Sequence, residues 1–285
     1  MTLIGIHGIG QDRIGVRQLA REWGDGLSSG ARRAGIPQAG LPDPLFDIVY
    51  YAHLYRGEAE TLGEETASEH EIGLEEAEFL QAVLAELDPV AAAETAPPPE
   101  VLNRFVGAFA CPAWLTRTML WVDERSNRQV SETLVRRLRQ VWRYLTEPAL
   151  ADDIRGLLHD RLTAAPESRV LAAHSLGSVV AADLVARGAF PSGRNRLVTM
   201  GSPLAYGVVR DRMLDGRAFP TTLPCDWYNV HDPRDVVTAS HGLAGLVPGV
   251  TDIRIGNWPG NAHAAANYLR RPQTARALLD PQEPA

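Results

Sequence analysis

The chain has 285 residues, 45% hydrophobic and 22% charged, enough to bury an ample core as one large domain or two small ones. Its net charge is -7, with arginine as the only strongly basic residue, so no phosphate-binding surface is indicated and nucleic acid is not an expected partner. The two cysteines, Cys111 and Cys225, stand far apart in no metal-ligand spacing, which argues against a disulfide framework and a structural zinc site.

Leu3 to His7 is a short apolar run closed by H-G-I-G, which predicts a first, central strand and a glycine loop. No basic region followed by a long apolar one opens the chain, and a cytoplasmic setting is expected. Val16, Leu19, Ala20, Trp23 and Leu27 then mark one stripe of an amphipathic helix. After a loop containing Gly35, Pro37, Gly40 and Pro42, Phe46 to Leu54 is rich in aromatic and β-branched residues and predicts a second strand. Strand, helix, strand predicts a parallel pair with a right-handed crossover.

The composition then changes. No arginine occurs from Gly57 to Asn103, where acidic residues from Glu58 to Glu100 are frequent; from Arg104 onward arginines such as Arg117, Arg125, Arg136, Arg137, Arg139 and Arg143 take over. Ile72, Phe79, Leu80, Val83, Leu84 and Leu87 mark an acidic helix, and Val130, Leu134, Leu138, Val141 and Leu145 a basic one, opened by a cap at Ser126 or Asn127. The two helices have the charges to pair, although exposed pairs contribute little. Residues 56–148 therefore form a helical insertion between the second and third strands. Its apolar window from Val101 to Val122 contains Arg104, Pro112 and Arg117, which speaks against a membrane span. Phe105, Phe109, Trp114, Leu115, Met119, Leu120 and Trp121 in that window are candidates either for the insertion's own core or for an apolar substrate pocket.

A helix near Ala149 to Leu162 precedes the stretch Arg169 to Leu184, R-V-L-A-A-H-S-L-G-S-V-V-A-A-D-L. It reads as a strand, a tight turn with Ser175 at its apex, and a helix, one methyl group away from the G-x-S-x-G nucleophile elbow. Ala173 and Gly177 are small, as close approach of strand and helix requires. Strands follow at Arg196 to Met200, Asp226 to Val230 and Thr251 to Ile255, then helices at Ala262 to Arg271 and Gln273 to Leu279.

The loops after three of these strands carry a serine, an acid and a histidine in the order Ser175, Asp235 or Asp232, and His263. Open α/β sheets place their sites at such strand ends. Serine needs an imidazole to take its proton, and the imidazole needs a carboxylate to fix its tautomer. Asp232, beside Pro233, also reads as a turn former. His241 is the alternative base, but it follows the acid closely in a glycine-rich loop. His7 and His174 are assigned to loop hydrogen bonding or packing, and His53, His70, His159 and His231 lack partners at metal spacing.

H-G-I-G at His7 to Gly10, A-H-S-L-G at Ala173 to Gly177, M-G-S-P at Met200 to Pro203, N-V-H-D-P-R-D-V-V at Asn229 to Val237 and H-A-A-A-N-Y at His263 to Tyr268 together resemble the α/β-hydrolase superfamily, especially its lipase and esterase-like members. The resemblance covers the sheet-forming part and leaves the insertion unexplained. It implies an α/β-hydrolase fold: a mainly parallel sheet of about six strands flanked by helices, with residues 1–55 and 149–285 as the core and 56–148 as a helical cap in the position of a lid. Relatives often begin with two further strands, so a reduced core is expected. D-V-V matches the family's habit for the acid, favouring Asp235, and the H-x-x-x-x-Y neighbourhood favours His263. The backbone N–H groups of Ile9 and Leu176 are the implied oxyanion hole.

The expected activity is serine hydrolysis through an acyl-enzyme, with carboxylic esters foremost and no cofactor or metal required. Thioesters, amides and cyclising acyl transfer use the same machinery, and a binding protein on an inactive hydrolase fold is the alternative of another class. The expected partner is a small-molecule or acyl substrate, apolar if the aromatic run of the insertion lines the pocket, and no stable membrane span is expected. A dinucleotide fingerprint is disfavoured, because Gly5, Gly8 and Gly10 miss the G-x-G-x-x-G spacing and no acidic residue ends the second strand as required.

Overall fold

The computed structural model describes residues 3–11, 14–39, 41–55, 73–87, 131–166, 170–191, 195–257 and 261–280. Six strands, β1 (Leu3–Ile6), β2 (Phe46–Val49), β3 (Val170–His174), β4 (Asn195–Met200), β5 (Cys225–His231) and β6 (Val250–Arg254), form one open sheet. Its order is β2-β1-β3-β4-β5-β6, and every neighbouring pair is parallel. The architecture is α/β, with the strand order reversing between β1 and β3.

The helices among the described residues are α1 (Val16–Ala34), α2 (Leu74–Leu87), α3 (Ser131–Thr146), α4 (Pro148–Ala164), α5 (Leu176–Ala186), α6 (Gly207–Leu214), α7 (Ala265–Leu269) and α8 (Pro272–Leu279). Because side chains alternate along a strand, each strand feeds both layers. Ile4, Ile6, Leu171, Ala173, Leu197 and Trp227 join the apolar cluster under α2 to α6. Leu3, Phe46, Ile48, Ala172, Val198, Val230 and Ile253 join the opposite one, under α1, α7 and α8. Helix α5 is buried along nearly its whole length, which explains an apolar sequence without a polar stripe. Its Asp183 is paired: Arg155 Nη1 donates at 2.6 Å, Arg187 Nε at 2.7 Å and the Tyr144 hydroxyl at 2.9 Å, tying α3 and α4 to α5.

The described helices of the inserted segment share this core. Phe79, Leu80, Val83 and Leu84 of α2 and Val135, Leu138 and Val141 of α3 belong to the same buried cluster as β1, β3 and α5. The acidic and basic helices do meet: Arg139 Nε lies 2.6 Å from Glu76 Oε1. Residues 88–130, including the aromatic run from Phe105 to Trp121, the apolar window from Val101 to Val122 and the caps expected at Ser126 or Asn127, lie outside the described residues. Among the described residues no helix is long and apolar enough to cross a membrane.

Two local expectations differ. The second strand ends at Val49, and Ala52–Tyr55 is a 3₁₀ turn. The sheet neighbour of β2 runs out at Ile6, opposite Val49, where the glycine loop begins. Tyr51 N–H donates to His7 Nε2 at 3.2 Å instead of to a strand. Helix α6 was not expected, because it buries only Val209 and Met213 and lacks a long apolar stripe. Its first amides, Gly207 and Val208, donate to the Glu86 carboxylate of α2 at 2.7 and 3.0 Å, a cap supplied from another element.

Candidate active site

Because all strands are parallel, the loops after β1, β3, β5 and β6 emerge at one edge of the sheet, and the switch point between β1 and β3 opens a crevice there. A cavity of about 200 Å³ lies at this point, lined by His7, Gly8, Ile9, Ser175, His263 and Arg137 among others.

Ser175 sits between β3 and α5 with φ 53° and ψ -123°, a conformation uncommon for a residue bearing a Cβ. The turn is held from outside: Ser175 N–H donates to Met200 O at 3.0 Å, and the Ser178 hydroxyl donates to Ser175 O. Gly177 is small for a reason that local sequence does not reveal. A Cβ there would come within 2.6 Å of Ile6 O and 2.7 Å of His7 O, so the glycine admits the main chain of β1. Leu176 opens α5, and its N–H has no intrahelical acceptor, at the end where the helix dipole favours negative charge. Ile9 lines the same cavity from the β1 loop.

That loop is clamped by His7. Tyr51 N–H donates to Nε2, so Nδ1 carries the proton and donates to Gly8 O. The Tyr51 hydroxyl donates to His7 O at 2.7 Å, and the two rings stack with centroids 4.2 Å apart. Burial lowers the His7 pKa to about 4, which keeps the ring neutral. His174 is likewise lowered to about 3 by burial, with the Arg137 charge acting in the same direction. Its Nε2 lies 2.7 Å from His263 O and braces the loop that carries His263.

His263 Nδ1 lies 2.7 Å from Asp235 Oδ2, so Nδ1–H donates to the carboxylate. Nε2 is then the unprotonated nitrogen; it is buried and has no hydrogen-bond partner among the described residues. Asp235 also accepts from Val237 N–H at 3.0 Å through Oδ1 and from the Tyr268 hydroxyl at 2.7 Å through Oδ2. Burial pushes its pKa up to about 6, against the downward pull of these two hydrogen bonds and of Arg137.

Asp232 has a different place. Its carboxylate accepts from Arg234 N–H at 2.9 Å and from Asn257 N–H, joining the loops after β5 and β6. Asn257 in turn donates through Nδ2 to Ala262 O at 2.7 Å, next to His263. His241 is exposed, and its Nδ1 lies 3.1 Å from Gly242 O. Among the described residues no group of three or more His, Cys, Asp or Glu is arranged to hold a metal.

Two contributors escaped sequence reading. Arg137 registers there only as one of many arginines of a basic helix, yet α3 carries it to the cavity wall. Tyr268 registers as a neighbour of His263 without a role, although the spacing of five residues from the histidine is a usable signal. Compared with protein-family models, curated proteins and solved structures, the chain gives no match.

Proposed function

We propose that this protein is a serine hydrolase of the α/β-hydrolase type, acting on acyl compounds and foremost on carboxylic esters. The observation that carries the reading is the state of His263: Nδ1–H is committed to Asp235, and the bare Nε2 belongs to a residue lining the same cavity as Ser175. An imidazole so oriented is a general base aimed away from its carboxylate.

In the proposed reaction His263 Nε2 takes the Ser175 hydroxyl proton as Oγ attacks the acyl carbon. The resulting oxyanion is held by the Ile9 and Leu176 N–H groups, main-chain donors that need no reorganisation. The tetrahedral species expels the alcohol, which leaves with the proton from His263. Water, deprotonated by the same nitrogen, then cleaves the acyl-enzyme and frees Ser175 and a carboxylic acid. His7 and His174, lowered by burial to about 4 and about 3, are too weakly basic to compete for the proton and instead hold the two loops.

A fluorophosphonate probe tests the reading. It is expected to label the native protein at Ser175 and not the Ser175→Ala variant. Failure to label the folded native protein would leave a binding protein on an inactive fold as the better account. A panel of esters, thioesters and amides of graded length then ranks the substrates.

A further inference from the structure

We propose that Tyr268 is a positioning residue of this site: its hydroxyl shares Asp235 Oδ2 with His263 and sets how strongly the carboxylate holds the imidazole proton. The catalytic consequence rests on the hydrolase reading; the coupling itself does not.

Both donors reach the same oxygen at 2.7 Å, the Tyr268 hydroxyl from α7 and His263 Nδ1–H from the loop before it. Tyr268 is wholly buried, so its hydroxyl has left water to make this bond. A second donor on a carboxylate oxygen takes up part of its charge and makes it less basic, weakening its pull on the imidazole. It also fixes the direction of the oxygen. Gly201 packs closely over the pair: a Cβ there would lie 3.2 Å from Asp235 Oδ2 and from His263 Nδ1. Oδ2 thus has two side-chain donors, and their balance depends on residue 268.

Other titratable groups face the pair from each neighbouring element. Asp232 in the β5 loop and Arg137 of α3 act on Asp235 through their charges. The His174 ring, at the end of β3, lies 4.7 Å from the His263 ring. Tyr206, beside the 3₁₀ turn Pro203–Ala205, gives its hydroxyl to Val236 O instead, which leaves Tyr268 as the tyrosine that bonds the carboxylate.

The test titrates His263 by NMR of its Cε1 in the native full-length protein, in Tyr268→Phe and in protein with 3-fluorotyrosine at 268, alongside the pH profile of kcat/KM. Loss of the donor in Tyr268→Phe is expected to raise the His263 midpoint by about one unit, and to move the acid limb of kcat/KM with it. The fluorinated ring, a stronger donor of nearly the same shape, is expected to move both downward. A purely packing role for Tyr268 moves neither, and an unmoved midpoint in either protein overturns the proposal. If Tyr268→Phe does not fold, the fluorotyrosine protein decides alone, since its unmoved midpoint is sufficient to overturn it. Labelling of Ser175 in the native protein is scored separately. A shifted midpoint without labelling defeats the hydrolase reading and keeps the Tyr268 coupling.

Discussion

Gly8 and Ser175 approach so closely that a Cβ on Gly8 would lie 2.7 Å from Ser175 Cβ and 3.2 Å from its Oγ. The loop after β1 and the turn after β3 therefore fit together only because residue 8 has no side chain. Gly8→Ala must push either the loop or the serine away. Displacements near 1 Å at reacting groups cost about 100-fold in rate. Fluorophosphonate labelling of Gly8→Ala is expected to slow by about that factor while the protein remains folded. Labelling at the native rate would show that Ile9 and Ser175 do not need this register.

The positive φ of Ser175 stores strain that glycine relieves. Ser175→Gly is expected to be more stable than Ser175→Ala by about 1 kcal/mol in urea denaturation, because alanine keeps the Cβ and glycine does not. Both variants should lose turnover by about 1,000-fold or more. Equal stability of the two would mean that the turn is unstrained in solution.

The two carboxylates separate cleanly. Asp235→Asn should lower turnover by about 10,000-fold, since the amide disturbs the His263 tautomer, with a modest change in stability. Asp232→Asn should instead keep most turnover and lose about 1 to 3 kcal/mol of stability, because it weakens the bonds to Arg234 and Asn257 that join the two loops. Steady-state kinetics and denaturation of the pair distinguish them, and the reverse pattern would make Asp232 the acid.

Stability and activity should both fall in acid, for different residues. His7 and His174 are lowered to about 4 and about 3, so the unfolded chain binds their protons first as pH drops below about 6.5. Their contribution is present above that pH and is lost as pH falls through the folded values. Asp235, raised to about 6, works the other way: its contribution is present below its unfolded pKa of 3.8 and lost as pH rises through about 6. Two lowered histidines outweigh one raised carboxyl, and melting temperature is expected to decline steadily from pH 7 to pH 4, roughly the window these shifts define. Turnover should fall below about pH 6, as Asp235 takes up a proton and no longer holds His263 in its basic tautomer. A flat melting curve would contradict the neutral state of the buried histidines, and a flat rate profile the imidazole base.

Much of the fold was legible because its signals are local. Apolar runs, glycine loops and helical stripes mark all six strands, the Ser175 turn and the order serine, acid, histidine within windows of a few residues. Where the signal depends on a partner, the sequence was silent or incomplete. The strand from Phe46 stops at Val49 because β1 offers no further partner, and α6 is capped by Glu86 from a distant helix. The placement of Asp235 on His263, with Asp232 tied instead to Asn257, spans 28 residues and depends on how two loops meet. The reach of Arg137 into the cavity and of Tyr268 to Asp235 is equally nonlocal. The sequence by itself determined which residue types stand at the strand ends, since turn chemistry and periodicity are properties of neighbours along the chain. Only the tertiary structure decided which of them share a proton, because a hydrogen bond of 2.7 Å requires several elements to be packed into one register.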